Sequence, residues 1–153
     1  MSKFISKLIA TCFGLGFLPF GPGTWTSVVA AVFWFYFRKS LGVGWPEAFV
    51  LIITLSLLGW GATYFYEKAT GRVDASEVVI DEWVGMGLAM LSFDGSLWQL
   101  GAAFIGFRIL DIWKPGPIRY FDRPEMGALG TMLDDLFAGL IVCAGIGIFN
   151  YVR

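Results

Sequence analysis

Three groups of charged residues in this chain have the types and spacing to handle a phosphate. Asp81-Glu82 and Asp134-Asp135 are paired carboxylates, and Arg108-x-x-Asp111-x-x-Lys114 sets a cation on either side of an acid at one-turn spacing. Charges are densest between residues 107 and 136, where Pro115-Gly116-Pro117 breaks the backbone. The chain has no histidine, which removes every mechanism that needs an imidazole nucleophile, base or metal ligand. Its two cysteines, Cys12 and Cys143, lie in apolar runs and read as small packed side chains. A cysteine phosphatase needs arginine six residues after its nucleophile, and those positions hold Leu18 and Phe149. An Asp-x-Asp phosphoenzyme motif is also absent. What remains is metal-assisted attack by water, with arginine and lysine taking up charge on the phosphoryl oxygens. An all-oxygen carboxylate set suits Mg²⁺ best, then Mn²⁺ or Ca²⁺.

Those acids sit at the ends of apolar runs, and that placement carries a cost. Asp74, Asp81, Glu82, Asp111, Asp134 and Asp135, left uncompensated at bilayer depth, would cost about 3 kcal/mol each, or roughly 18 kcal/mol together. The net stability of an ordinary domain is only about 5–15 kcal/mol. The six must therefore lie near an interface, pair with cations or share a metal. Ionisable groups placed this way mark a functional site, and the first expectation is a site for a phosphorylated lipid.

The elements that position them are read as helices. Residues 2–17 form an amphipathic or re-entrant helix, ended by Pro19, Gly21, Pro22 and Gly23. Thr24-Trp25-Thr26-Ser27 then opens a helix to about Phe37, with hydroxyls suited to a cap and a free N-terminus suited to an anion. Residues 48–66 hold no charge over 19 positions, enough for one membrane pass. Asp74, Glu77, Asp81 and Glu82 fall at helical spacings, so a helical segment 74–83 would carry an acidic face before the apolar run 84–93. Residues 97–107 return and deliver Arg108 and Asp111, and 131–152 form the last span with Asp134 and Asp135 in its first turn. The two middle helices, at about 15 residues each, are roughly 22 Å long and extend into the headgroups or thin the bilayer.

With 57% apolar residues, 18% aromatics and a mean hydropathy of +0.70, the chain exceeds the usual composition of a soluble domain. The expected class is an all-α, polytopic integral membrane protein with about four to five transmembrane helices plus the N-terminal helix. It forms one domain over residues 1–153. A net charge of −1 leaves no nucleic-acid footprint. With Met1 inside and five passes, the inner face collects Lys3, Lys7, Lys68, Arg72, Arg108, Lys114, Arg119 and Arg123, and the outer face Arg38, Lys39 and Arg153. Eight against three places both charged segments on the cytoplasmic side.

Taken in order, Pro22-Gly23-Thr24, Asp74 with Ile80-Asp81-Glu82, Arg108-x-x-Asp111-x-x-Lys114-Pro115-x-Pro117 and Gly130-x-x-x-Asp134-Asp135 resemble the phosphatidylglycerophosphatase A family. The resemblance runs from about Gly21 to Gly139. It implies a Mg²⁺-dependent enzyme of the bacterial inner membrane that converts phosphatidylglycerophosphate to phosphatidylglycerol and phosphate. Asp81, Glu82, Asp111, Asp134 and Asp135 are then expected to be catalytic, and Asp74, Asp81, Glu82, Asp134 and Asp135 to bind metal. Thr24, Arg108, Lys114 and Arg123 are expected to bind substrate. The chain departs from the family pattern at Thr26, where glycine is expected, and at Ala75, where His or Pro is common; both bear on the shape of the phosphate loop.

Bland roles compete for several of these residues. Asp134-Asp135 could complement a helix dipole, and Arg108–Asp111 could be a structural pair. Glu77, Asp94, Asp122 and Glu125 read as solvated loop charges, and Trp25, Trp83 and Trp113 as interface anchors. The competing function is a proton- or cation-coupled transporter built on intramembrane carboxylates. Against it, the acids cluster at one end, and the other end offers only Asp94 and Glu47.

Overall fold

The computed structural model describes residues 1–153 as seven α-helices without strands. They are α1 (Lys3–Ala10), α2 (Pro22–Lys39), α3 (Trp45–Thr70), α4 (Ile80–Ala89), α5 (Leu97–Trp113), α6 (Pro117–Phe121) and α7 (Gly127–Val152). Short 3₁₀ turns at Cys12–Phe17 and Pro124–Met126 join them. The all-helical class is as expected from the sequence.

Two stretches are long and apolar enough to cross a membrane: Trp45–Thr70, with mean hydropathy 1.8, and Pro124–Val152, with 1.9. That is fewer than the four to five passes expected. At 1.5 Å per residue, α2 and α5 reach roughly 27 and 25 Å, and α4 only about 15 Å, against about 30 Å of hydrocarbon. Helices α2, α3, α5 and α7 nevertheless turn large apolar side chains outward, among them Val32, Leu57, Ile105 and Ile148, each more than half exposed. A water-soluble monomer rarely shows such contiguous apolar surface.

Helix α4 is the buried centre. It packs against α2, α3, α5 and α7, and Ile80, Asp81, Val84, Gly85, Met86, Gly87 and Ala89 are all buried. Its approach to α7 is backbone to backbone. A Cβ on Gly139 would stand 2.3 Å from the Gly85 carbonyl oxygen, and a Cβ on Gly85 would stand 2.8 Å from the Asp135 carbonyl oxygen. Asp81 lies one turn before Gly85 and Asp135 one turn before Gly139, so this contact sets the distance between the two acids. Gly139→Leu is expected to separate the helices and lower stability by about 3 kcal/mol or more. A lower unfolding temperature in detergent would show it.

Three local expectations are corrected. The N-terminal segment is not one helix through residue 17: left-handed backbone at Cys12 (φ 45°) and Phe13 (φ 57°) breaks it after Thr11. Residues 74–79 are not helical, and the acidic face 74–82 does not form. Asp74 is left-handed (φ 50°), the Val78 N–H closes a tight turn onto the Ala75 carbonyl at 2.8 Å, and the Val79 N–H donates to the Ala10 carbonyl of α1 at 2.9 Å, so no helical ladder runs through the segment. Helix α2 begins at Pro22, with left-handed Gly21 at its cap position and no side-chain cap. Of the hydroxyls expected to cap it, Thr24 and Ser27 bond to other groups, and the buried Thr26 hydroxyl has no partner.

The loops gather into two ends. At one end Arg38 donates to the Leu91 carbonyl, Lys39 to the Gly95 carbonyl, and Asn150 to the Ser92 carbonyl, each at 2.8 Å. The opposite end holds the start of α2, residues 71–82, the end of α5 and the start of α7.

Candidate active site

Helices α2, α4, α5 and α7 and the 74–79 loop enclose a cavity of about 300 Å³ at that opposite end. Its lining includes Gly23, Asp74, Asp81, Glu82, Arg108, Asp111, Lys114, Asp134 and Asp135. Almost the whole expected set is therefore brought together, from four separate parts of the chain. Thr24 reaches the rim through Arg108. Arg123 does not line this cavity; it lines a neighbouring hollow that shares Asp74.

Within the cavity the acids divide by partner. Asp81, Glu82 and Asp135 offer oxygens within 4.8 Å of one another. Asp81 Oδ1, Glu82 Oε2 and Asp135 Oδ2 are buried without a hydrogen-bond partner. Two ionised carboxylates at that distance repel by about 3.5 kcal/mol at an effective dielectric constant near 20. Three such pairs would rival the whole stability of a domain. Hard oxygen donors in this arrangement fit a divalent cation such as Mg²⁺. Asp134 and Asp111 instead face cations. Lys114 Nζ donates to Asp134 Oδ2 at 2.6 Å, and Arg108 pairs with Asp111. Asp74 sits on the rim, outside the group of three.

The two cations are held differently. Arg108 donates through Nη2 to Thr24 Oγ1 at 3.1 Å and through Nη1 to Ser27 Oγ at 3.4 Å, and its buried Nε–H has no acceptor. Ser27 in turn donates to the Gly23 carbonyl at 2.8 Å. Glycine at position 23 leaves room for the Glu82 carboxylate, because a Cβ there would fall 2.0 Å from Glu82 Oε1 and push it from its place. Lys114 caps α5 in a left-handed conformation (φ 46°). Burial favours its neutral amine, but ion pairs with Asp122 and Asp134 outweigh that and hold its pKa above the ordinary value. It stays a cation throughout the physiological range.

Sequence reasoning missed the supports. Glu67, the first charge after the uncharged run 48–66, accepts from the Ala128 N–H at 3.0 Å and from the Asp74 N–H at 3.3 Å. It ties the start of α7 to the loop that carries Asp74. Asp122 is not a free loop charge but a partner of Lys114. Glu77 is likewise engaged, by Tyr66 at 2.8 Å and by Arg72. Burial would raise its pKa, but these bonds outweigh that and hold it low. No spacing in the sequence signals contacts between segments so far apart.

Clustered acids without histidine, with cations beside them, suit hydrolysis of a phosphoric monoester, and the family match places the protein among such hydrolases. The chain belongs to the Phosphatidylglycerophosphatase A family, whose profile matches residues 8–150. It is 38% identical over 141 residues to Phosphatidylglycerophosphatase A of Escherichia coli (strain K12), covering 91% of this chain and 79% of that protein. The Haemophilus influenzae protein of the same name is 36% identical over 87% of this chain and 81% of its own length. A Bacteroides thetaiotaomicron protein named "Putative phosphatidylinositol-3-phosphatase" is 34% identical, over 98% of this chain and 96% of that protein. No solved structure matches.

Proposed function

We propose that this chain hydrolyses phosphatidylglycerophosphate to phosphatidylglycerol and inorganic phosphate, with Mg²⁺, at the cytoplasmic face of a bacterial inner membrane. The observation that carries this reading is the group of three carboxylates, Asp81 and Asp135 buried and Glu82 half-buried, each with an orphaned buried oxygen, set beside Arg108 and Lys114 in one cavity. Asp81, Glu82 and Asp135 would hold the metal, with Asp134 and Asp74 beside them. Mg²⁺ there would polarise a phosphoryl oxygen and make water a better nucleophile.

The chain's own residues do the rest. Arg108, preset by Thr24, Ser27 and Asp111, offers a planar fork to the phosphoryl oxygens, and Lys114 adds a point charge. A carboxylate of the cavity orients the water. The water oxygen bonds to phosphorus, the phosphorus–oxygen bond to glycerol breaks, and the glycerol oxygen takes up a proton. Arg108 and Lys114 stabilise charge as it develops on the phosphoryl group. The transporter reading has less support, because the acids collect at one end and no chain of ionisable groups leads to the other.

For the membrane, we take α2 and α5 to cross alongside α3 and α7, thinning the bilayer locally, with α4 packed between them. The eight-to-three excess of basic residues supports a cytoplasmic site. Purified protein should release phosphate from phosphatidylglycerophosphate with Mg²⁺ and lose at least about 100-fold of that rate in chelator. Equal rates in both would end the metal assignment. Single-cysteine labelling should find residues 68–76 and 114–128 on the cytoplasmic side, and labelling of the two segments from opposite faces would end the shared-site reading.

A further inference from the structure

The segment between α5 and α7 carries two arginines that the carboxylate cavity does not use. Arg119 and Arg123 are exposed, and neither is ion-paired with a carboxylate. Both line a hollow of about 570 Å³ together with Gly116, Tyr120, Pro124 and Asp122, whose carboxylate is already paired with Lys114. Arg123 lies over the Tyr120 ring, 4.6 Å from its centre, so its guanidinium is already oriented. Arg123 also lines the smaller hollow of about 220 Å³ that contains Asp74, and Asp74 lines the carboxylate cavity. Shared walls thus lead from the carboxylates, through Asp74 and Arg123, to Arg119.

We propose that Arg119 and Arg123 bind a second phosphate of the substrate, the phosphodiester that joins the headgroup to diacylglycerol and remains in the product. This rests on the lipid-phosphatase reading above. Phosphatidylglycerophosphate carries a monoester and a diester on the two ends of one glycerol. A phosphatidylinositol 3-phosphate also carries both, with inositol between them. The substrates named for two relatives therefore share the diester and differ in the alcohol. A protein that recognises the shared group needs a second cationic site beside the reacting one, and guanidinium forks match phosphate oxygens. The reacting monoester is already provided for by Arg108 and Lys114, which leaves Arg119 and Arg123 free for the diester. The other anion within their reach is the acidic surface of the bilayer, and the test separates the two.

Arg119→Gln/Arg123→Gln is made in the full chain and assayed in uncharged detergent micelles; both side chains are exposed, so the fold is expected to survive. The double variant should raise KM for phosphatidylglycerophosphate by about 10- to 100-fold, the loss of two charge-assisted contacts weakened by exposure to solvent, with little change in kcat. Phosphatidylglycerol, which keeps the diester, should inhibit the variant more weakly by a similar factor, while inorganic phosphate inhibits both forms alike. An unchanged KM overturns the proposal. So does an equal loss of inhibition by inorganic phosphate, which would mean a disturbed reacting site. Equal loss of inhibition by oleate, an anionic amphiphile without a phosphodiester, also overturns it, because surface charge alone would then explain the effect. If wild type releases no phosphate from phosphatidylglycerophosphate, the lipid-phosphatase reading fails on its own account. Phosphatidylglycerol binding followed by tryptophan fluorescence then still decides, and a double variant that binds it as wild type does refutes the subsite.

Discussion

Asp81→Asn and Asp135→Asn should each lower kcat for phosphate release by about 1,000-fold, roughly 4 kcal/mol of barrier, in protein that still inserts and purifies as a folded species. Both acids belong to the group whose oxygens lie within 4.8 Å of one another, and each has one buried oxygen without a partner. Their repulsion makes the effect on stability opposite in sign to the effect on rate. Without divalent cation, removing one negative charge relieves the cluster, and the variants should unfold at or above the wild-type temperature. With Mg²⁺, wild type should gain stability through binding to the native state, and the variants should gain much less. Thermal unfolding with and without Mg²⁺ reads this without any substrate. Wild-type turnover in both variants would falsify the carboxylate–metal proposal, and an unfolding temperature indifferent to Mg²⁺ would count against it separately.

Replacing Arg108 by lysine should keep the charge and still cost about 100-fold in kcat. Lysine is a single point charge and cannot bridge Thr24, Ser27 and Asp111 while also presenting a fork to phosphate. The lost contact belongs to the transition state, so kcat and kcat/KM should fall together. Lys114→Arg should be milder, about tenfold, because the charge beside Asp134 is kept. The structural alternative makes a contrary forecast: if Arg108 serves only to neutralise Asp111, Arg108→Gln/Asp111→Asn should recover activity. An active double variant would remove Arg108 from the catalytic machinery.

The two long apolar helices were legible because each leaves a plain mark, a long run with at most two charges. Residues 48–66 fall inside Trp45–Thr70, and residues 131–152 inside Gly127–Val152. The pairing of the acids was not legible. Asp134 and Asp135 are adjacent in sequence, yet successive residues on a helix point about 100° apart. One meets Lys114, and the other meets Asp81 and Glu82. The start of α4 was missed for a related reason. Residues 74–79 have helical spacing, but their backbone is claimed by α1 through the Val79–Ala10 bond. Glu67 carried no signal in the sequence because its two backbone partners come from other segments. Periodicity reports which face of an element is apolar; it is silent about which distant donor meets which acceptor.

The shortness and central place of α4 constrain how the protein is made. A ten-residue helix that begins with Asp81 and Glu82 is a poor substrate for the insertion machinery, being too short to span and too acidic to partition alone. While the ribosome is still producing α5, Asp135 and the Gly139 face that receives α4 do not yet exist. The segment 80–89 can pack against α2, α3 and α5 as they form, but its closest neighbour, α7, is the last helix to be made. Under the proposed metal assignment, the carboxylate group is completed only then, when Asp135 on the final helix joins Asp81 and Glu82.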